Sequence, residues 1–191
     1  MRLDGIAPQA PSARLFFAAY PDAETAQGIF ELAQPVRASR GLRGSPIPAE
    51  RLHVTLHHLG DHPELPEPLV AAAGEAAAQV RAASFDVRFD RIGSFAGRSR
   101  SRPCILRAAE GANAPLLDLQ RLLGERLVAA GLGRHVERRF TPHVTLFYAA
   151  GIETQAVEPV VWTVRGFALV HSLLGRGQHR IVRAWPLTEP R

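Results

Sequence analysis

Residues 53–56 read His-Val-Thr-Leu, and residues 143–146 repeat the same four letters in the second half of the chain. Each copy lies in a stretch of β-branched and apolar residues, which is typical of a half-buried strand. In a strand, His53 and Thr55 point to one face and the two apolar residues to the other. His143 and Thr145 are related in the same way. The repeat therefore predicts two matching strands, each with an imidazole and a hydroxyl facing a common cleft.

Around each copy the chain alternates between strand-like and helix-like segments. Strands are predicted at residues 14–20, 52–59, 85–90, 104–108, 141–149, 157–164, 167–174 and 178–185. Helical spacing predicts helices at residues 22–39, 66–83 and 116–130, the first of them ended or kinked by Pro35. Strands outnumber helices and several are joined by tight turns, so the predicted fold class is α+β with antiparallel pairing.

The composition is that of a globular protein: of 191 residues, 46% are hydrophobic and 21% are charged. No apolar run approaches the roughly 18 residues of a membrane span, and the first residues are a poor signal peptide. The single cysteine, Cys104, excludes a disulfide framework and a thiolate zinc cluster. A cytoplasmic monomer without a membrane or an obligate protein partner is expected. Residues 1–13 are predicted to be a flexible tail, and residues 14–191 a single domain.

The basic residues are all arginine. There are 23 of them against 18 acidic residues, which gives a net charge of +5. Because a guanidinium pairs with two phosphate oxygens at once, this bias suits a phosphate-bearing or nucleic-acid partner. A genome rich in G and C would produce the same bias, so the charge permits an RNA substrate without establishing one. Residues 97–102 hold three of the arginines, in a loop that either follows phosphates or is simply solvated.

Two histidines that face one cleft suit the cleavage of a phosphodiester. With an ordinary pKa of about 6.5, one imidazole can be a neutral base while the other is a protonated acid. Threonine hydroxyls beside them can donate hydrogen bonds to the phosphate oxygens. This chemistry needs neither a metal nor another cofactor. For either copy alone, an ordinary strand histidine is the better interpretation, but the pair in matching contexts favours a site.

With these motifs the sequence resembles the 2H phosphoesterase superfamily, and more narrowly the bacterial RNA 2′,3′-cyclic phosphodiesterases, often labelled 2′-5′ RNA ligases. The resemblance is carried by residues 14–19 (Arg-Leu-Phe-Phe-Ala-Ala), by residues 47–60 and 139–146 around the two motifs, and by residues 169–187. It implies a bilobed α+β fold with two antiparallel β-sheets and flanking helices. It also implies pseudo-twofold symmetry and an active-site cleft between the lobes.

The resemblance further implies a role for each motif residue. His53 would protonate the departing 3′ oxygen, and His143 would activate water. Thr55 and Thr145 would hold the phosphate. The product would be a 2′-phosphate end, and the reverse reaction would join RNA ends through a 2′-5′ bond. Sequence symmetry alone does not say which histidine is the acid.

Three further residues are candidates for substrate contacts. His57 stands where bacterial members often carry Arg, and strict alternation puts it on the face of His53; the alternative is a surface residue. Tyr148 follows the second motif as in the plant-type cyclic phosphodiesterases, and it reaches the cleft only if the strand has a β-bulge. Phe17 or its neighbour Phe16 could line the cleft for base stacking, although burial of both is the default.

Several functions remain open at this point. The leading hypothesis is hydrolysis of a 2′,3′-cyclic phosphate on an RNA end or a small nucleotide. A second keeps the chemistry but acts on ADP-ribose 1″,2″-cyclic phosphate or a 2′-5′ oligonucleotide. A third is an RNA-end binding module without turnover, which does not require both an acid and a base. A metal site is not expected, because His57, His58 and His62 lack the spacing of zinc ligands.

Overall fold

The computed structural model describes residues 10–189, and within them the fold is α+β as predicted. The elements are β1 (Ala13–Ala19), α1 (Ala23–Ser39), β2 (Val54–His62), α2 (Glu67–Ala77), β3 (Phe85–Ser94), β4 (Arg102–Arg107), α3 (Ala114–Ala129), β5 (His143–Ala149), β6 (Gln155–Val164), β7 (Gly166–Leu173) and β8 (Gln178–Pro186). Short 3₁₀ helices, Ala49–Arg51 and Gly133–His135, precede the two motif strands. No helix in this range is long and apolar enough to cross a membrane.

The predicted tail falls mostly on residues 1–9, which lie outside the described range. Its last residues belong to the sheet instead. Ser12 donates a backbone hydrogen bond to the His62 carbonyl at 2.9 Å. Ala13 begins β1 and is 1% exposed. Residues 12 and 13 of the predicted tail are therefore part of the sheet.

The eight strands of residues 10–189 form an antiparallel sheet in the order β6-β3-β4-β5-β2-β1-β7-β8. The two motif strands, β2 and β5, meet in the middle at a single residue pair, Val54 with Val144. The two predicted sheets are therefore the four-stranded lobes of this sheet. Read outward from the junction, β2-β1-β7-β8 corresponds to β5-β4-β3-β6, and the units β1-α1-β2 and β4-α3-β5 each end in a motif strand. This correspondence is the pseudo-twofold symmetry.

Each motif strand has a β-bulge directly after its threonine. The residue of β2 skipped in the pairing with β1 is Leu56, and the residue of β5 skipped in the pairing with β4 is Leu146. One extra residue reverses the alternation of side chains beyond it. The two bulges stand at equivalent places, and β2 has a second bulge at Leu59, between its His58–Phe16 and Gly60–Leu15 pairs.

The large core fills one face of the sheet, between the strands and the helices. It includes Phe17, Phe89 and Phe147, each 0% exposed. A small second cluster, built around Phe16 and Val170, lies on the opposite face of the first lobe. Neighbouring residues of β1 point to opposite faces, so this small cluster forms the floor of the cleft.

Helix α1 begins at an N-cap, where the Asp22 carboxylate accepts from the Thr25 N–H at 2.9 Å. The prediction that Pro35 ends or kinks the helix is wrong about the end, because the helix runs on to Ser39. Pro35 itself is exposed, and buried residues before and after it pack the helix against the core: Ala26, Ile29, Ala33 and Val36. Tertiary packing outweighs the hydrogen bond that proline removes.

The loop before β2 packs so closely against β5 that one position requires glycine. A Cβ on Gly44 would overlap the carbonyl oxygen of Tyr148. We expect Gly44→Ala to lower the free energy of unfolding by about 1–3 kcal/mol, as overpacking does. Gly28→Ala is the matched control, because this exposed α1 position has nothing within 4 Å and should gain about 0.5–1 kcal/mol. Urea unfolding measures both, and equal effects would contradict the packing.

Candidate active site

A cleft opens where the two lobes meet. A cavity of about 330 Å³ is lined by His53, Thr55 and Thr145, together with residues of β1 and of the β7–β8 hairpin. An adjoining cavity of about 350 Å³ is lined by His143. Thr55 and His58 border both cavities, so the two lie side by side. The fold thus brings the four motif residues to one cleft.

The same backbone contact orients both motif histidines. Nδ1 of His53 lies 2.6 Å from the carbonyl oxygen of Arg51, and Nδ1 of His143 lies 2.7 Å from that of Thr141. Because a carbonyl oxygen only accepts, each Nδ1 carries a proton and each Nε2 is left to exchange one. Nε2 of His53 lies 3.1 Å from the Thr55 hydroxyl oxygen. Two imidazoles fixed in this way can serve as an acid and a base.

His53 sits among other aromatic rings. Phe16 stacks on it at a centroid distance of 4.9 Å, and His179 and Tyr20 contact it at 5.3 and 5.6 Å. Burial lowers the pKa of His53 to about 4, and the hydrogen bond to the Arg51 carbonyl opposes this only in part. Burial, then His53 and Arg51, lower the pKa of His179 to about 4. Both imidazoles are therefore neutral at pH 7.

His143 is supported by a different set of contacts. The Phe95 ring lies perpendicular to it, with the ring centroids 5.0 Å apart and the planes at 88°. The Phe95 carbonyl accepts from Arg102 at 3.2 Å, and the Arg102 guanidinium occupies the space that a Cβ on Gly151 would need. Burial lowers the pKa of His143. Arg102 thus stabilises the end of the loop at residues 97–102. One interpretation of the sequence was that this loop follows phosphates, but the Arg102 guanidinium contacts the protein itself.

His57 does not line the cleft, so the prediction that it shares a face with His53 is wrong. It is 1% exposed; its Nε2 lies 2.9 Å from the Gln120 carbonyl, and its Nδ1 accepts from the Glu137 N–H at 3.1 Å. Burial lowers its pKa. The bulge at Leu56 is the physical reason, because it reverses the alternation of side chains and points His57 away from the cleft. His57 ties β2 to α3 and to the segment that leads into the second motif.

His58 and Tyr148 face the cleft instead, as the fifth residues after the two motif histidines. Each follows a bulge, and both line the cavity that His53 lines. The bulge that Tyr148 requires is present at Leu146. Tyr148 is 52% exposed, so its ring is open to a ligand. Nothing in the sequence of the first motif singled out His58 over His57.

Phe17 is also misplaced by the prediction that it could line the cleft. It is 0% exposed and packs against Phe167 and Trp185, with ring centroids 6.2 and 5.9 Å away. Phe16 faces the cleft but is 3% exposed, because the His53 ring covers it. Neither ring is free to stack on a base, and the work of Phe16 is to support His53.

Four residues outside the motifs complete the cleft and were not predicted. Arg14, Arg51 and His179 line the same cavity as His53, and Tyr20 contacts the His53 ring. They come from β1 and the residue that follows it, from the 3₁₀ helix before β2, and from β8. Only the order of strands in the sheet brings them together, and the sequence offers no local signal for that order.

Within residues 10–189, no group of three or more His, Cys, Asp or Glu side chains could hold a metal ion. The three clustered histidines diverge. His57 is buried towards α3, His58 faces the cleft, and Nε2 of His62 lies 3.1 Å from the Leu59 carbonyl.

Comparison with known proteins gives the family. A model of the 2′-5′ RNA ligase superfamily matches residues 25–176. A Thermus thermophilus protein named RNA 2′,3′-cyclic phosphodiesterase is 34% identical over 173 residues, which are 84% of this chain and 82% of the relative. The chain belongs to the 2′-5′ RNA ligase superfamily. The predicted resemblance to 2H phosphoesterases is confirmed, and so is the prediction of an enzyme.

Solved structures share this fold. Escherichia coli LigT complexed with 3′-AMP has a TM-score of 0.73 at 27% identity, covering 94% of this chain and 100% of that one. A protein of Thermus thermophilus has a TM-score of 0.69 at 28% identity, covering 93% of this chain and 100% of its own. The α+β, two-lobed architecture predicted from the sequence is therefore confirmed.

The stability of this 2H phosphoesterase should fall as the pH drops below about 6.5. Burial lowers the pKa of His53, His57, His143 and His179. The unfolded chain, whose histidines have ordinary pKa values, then binds more protons than the folded one. The stabilisation is complete above the unfolded pKa and is lost as the pH falls towards the lowered values. Urea unfolding at pH 7.5, 6.5 and 5.5 measures this.

One variant measures how much of this pH dependence of stability comes from His57. His57→Gln offers an amide N–H for the Gln120 carbonyl and an oxygen for the Glu137 N–H, but it does not titrate. We expect its free energy of unfolding to depend less steeply on pH than that of the parent. A parent whose stability is the same at pH 7.5 and 5.5 would contradict the burial of these imidazoles.

Proposed function

We propose that this chain hydrolyses the 2′,3′-cyclic phosphate at an RNA end to a 2′-phosphate, with His53 as proton donor and His143 as proton acceptor. One observation carries the proposal: each imidazole has Nδ1 fixed on a backbone carbonyl and Nε2 free for proton exchange at one cleft. The name of the Thermus relative supports the substrate class. E. coli LigT has been crystallised with 3′-AMP, ATP and phosphate, ligands that share a phosphate group.

The reaction needs two proton transfers. Water attacks phosphorus and gives a proton to Nε2 of His143. The bond from phosphorus to the 3′ oxygen breaks, and that oxygen takes the proton from Nε2 of His53. The product has a 2′-phosphate and a free 3′-hydroxyl, and solvent restores both imidazoles. Each positioned transfer contributes about 10²–10⁴ in rate.

Substrate binding supplies the protonated form of His53. Burial lowers the pKa of this imidazole to about 4, so it is neutral at pH 7 before the substrate binds. A phosphodiester anion beside Nε2 favours the imidazolium and raises that pKa. Arg51, whose charge opposes protonation of His53, would then be offset by the phosphate. His53 is therefore protonated, and able to act as the acid, only in the complex with substrate.

The two threonines support a phosphate placed between the lobes. Thr55 and Thr145 come from different lobes and line the same cavity. Each hydroxyl can donate to one non-bridging oxygen, so the phosphorus would lie near the pseudo-twofold axis. Donors placed there stabilise the charge that develops on the phosphate oxygens as water attacks.

The direct test is hydrolysis of an oligonucleotide that ends in a 2′,3′-cyclic phosphate, with EDTA present and the product identified by phosphorus NMR. We expect a 2′-phosphate, and losses of about 10²–10⁴ in kcat for His53→Ala and for His143→Ala. His135→Ala is the control, because this histidine does not line the cleft. Circular dichroism checks that each variant is folded.

Each other result points elsewhere. Activity abolished by EDTA would contradict the metal-independent mechanism. A 3′-phosphate product would reverse the leaving group. Turnover restricted to a mononucleotide or ADP-ribose cyclic phosphate would move the substrate to a small molecule. Tight binding of RNA ends with no turnover of any of them would leave a binding module.

The leaving group distinguishes the acid from the base. We expect a substrate with sulfur in place of the 3′ bridging oxygen to restore much of the activity of His53→Ala, because a thiolate departs without a proton. The same substrate should restore little to His143→Ala, which still lacks its base. Steady-state rates on the oxygen and sulfur substrates measure this. Rescue of His143→Ala alone would exchange the two roles.

The same site suits a second reaction, the joining of RNA ends. A 5′-hydroxyl can take the place of water, give its proton to His143 and attack the cyclic phosphate as the 3′ oxygen departs. The product is a 2′-5′ bond. The name of the superfamily supports this activity. Incubating a cyclic-phosphate end with a 5′-hydroxyl oligonucleotide tests it, since nuclease mapping identifies the 2′-5′ linkage.

A further inference from the structure

We propose that Arg14 and His58 form a second phosphate-binding subsite in the cleft, for the phosphate on the 5′ side of the terminal nucleoside. This inference rests on the proposed function and narrows its substrate. The preferred substrate would be a cyclic-phosphate end that carries a further phosphate group, and not a bare nucleoside 2′,3′-cyclic phosphate. Such a group is found on an RNA strand and on a small nucleotide with a 5′-phosphate.

The proposed subsite lies further along β2 and β1 than the motif residue Thr55, on the same face of the sheet. On β2, Thr55 is followed on the cleft face by His58 and then by Asp61, whose partner on β1 is Arg14. On β1 the partners of Thr55 and His58 are Ala18 and Phe16, because the bulges of β2 are skipped in the pairing. A strand rises about 3.3 Å per residue, so, counted along β1, His58 lies roughly 7 Å and Arg14 roughly 13 Å from the level of Thr55. Thr55, His58 and Arg14 all line the same cavity. This spacing fits a neighbouring phosphate better than a second oxygen of the reacting phosphate.

Asp61 holds both side chains of the subsite in place. Its carboxylate accepts hydrogen bonds from Arg14 at 2.7 and 2.8 Å, and lies 3.3 Å from Nε2 of His58. The hydrogen bond from Arg14 is the largest cause of the lowered pKa of Asp61, which stays ionised. A guanidinium has five N–H donors, and Asp61 uses two of those on Arg14. The remaining donors have no protein partner within residues 10–189 and are available to an anion.

The cavity has more hydrogen-bond donors for an anion than one phosphodiester needs. Its lining includes Arg14 and Arg51 but no aspartate or glutamate. Arg51 acts near the reacting centre, since its charge lowers the pKa of His53 and of His179. A bare nucleoside cyclic phosphate carries one negative charge, which Arg51 can neutralise. The N–H donors of Arg14 that Asp61 does not use are then left for a second anion.

The test compares three substrates with the same terminal nucleoside: adenosine 2′,3′-cyclic phosphate, its 5′-phosphorylated form, and a dinucleotide that ends in it. The quantity is the ratio of kcat/KM for each phosphate-bearing substrate to that for the bare one. We expect a ratio of about 10 to 100 for the parent enzyme, as charge-assisted hydrogen bonds give. Raising the salt concentration should lower this ratio, because the contact is partly exposed.

The variants then locate the subsite. Arg14→Met and His58→Asn should each bring the ratio towards one. Arg121→Met is the matched control and should keep the parent ratio. Arg121 is also an exposed arginine paired with carboxylates, those of Asp118 and Glu125, but it lies on α3 outside the cleft. Thermal melting checks folding, and the salt dependence of the parent enzyme tests the subsite without any variant.

The outcomes separate the subsite from the function it rests on. A parent ratio of one, or an equal loss on all three substrates in Arg14→Met, would overturn the subsite while hydrolysis itself stands. No turnover of any substrate by the parent enzyme would overturn the proposed function. An equal gain from the 5′-phosphate and the dinucleotide supports a site for phosphate alone. A larger gain from the dinucleotide supports the subsite within a strand-binding cleft.

Discussion

The pairing of Val54 with Val144 joins the two halves of the sheet and is the contact on which the cleft depends. Both valines are almost fully buried, so alternation sends the histidines and threonines beside them to the other face. Two motifs from distant parts of the chain thereby face one cleft across a single backbone pair. A longer ladder between β2 and β5 would hold these strands side by side along their length. A single pair lets them diverge, and the divergence leaves room for a substrate.

Burial and hydrogen bonding together make these imidazoles useful. The Arg51 and Thr141 carbonyls fix one tautomer and one ring orientation. Burial keeps His53 neutral at pH 7, so its imidazole forms no competing ion pair with a protein carboxylate. As a consequence, the protein should lose stability in acid, because the unfolded chain binds more protons there than the folded one. Activity and stability are therefore linked through the same side chains.

The fold class, the strand repeat and the four motif residues could be predicted because they depend on local alternation and on a repeated pattern. The face of His57 could not, because it depends on a bulge that no residue type in this motif announces. The same bulge moved His58 into the cleft. Phe16 and Phe17 are adjacent apolar residues, and only the pairing of β1 between β2 and β7 decides which one supports His53. What could not be predicted from the sequence is therefore the long-range register of the strands, and not the local preference of each residue for a strand or helix.

The symmetry of the site is confined to its centre, and chemistry explains why. In-line displacement at phosphorus uses one acid and one base on opposite sides of the same atom, so two copies of one motif suffice. The proposed substrate has no such symmetry, because its nucleoside and its next phosphate extend in one direction only. The residues just beyond the bulges differ accordingly: His58, with Asp61 and Arg14 in the first lobe, corresponds to the exposed ring of Tyr148 in the second. The equivalent bulges bring one residue of each lobe, His58 and Tyr148, to the cleft. Because these two residues differ, the two ends of the cleft differ although its centre is symmetric.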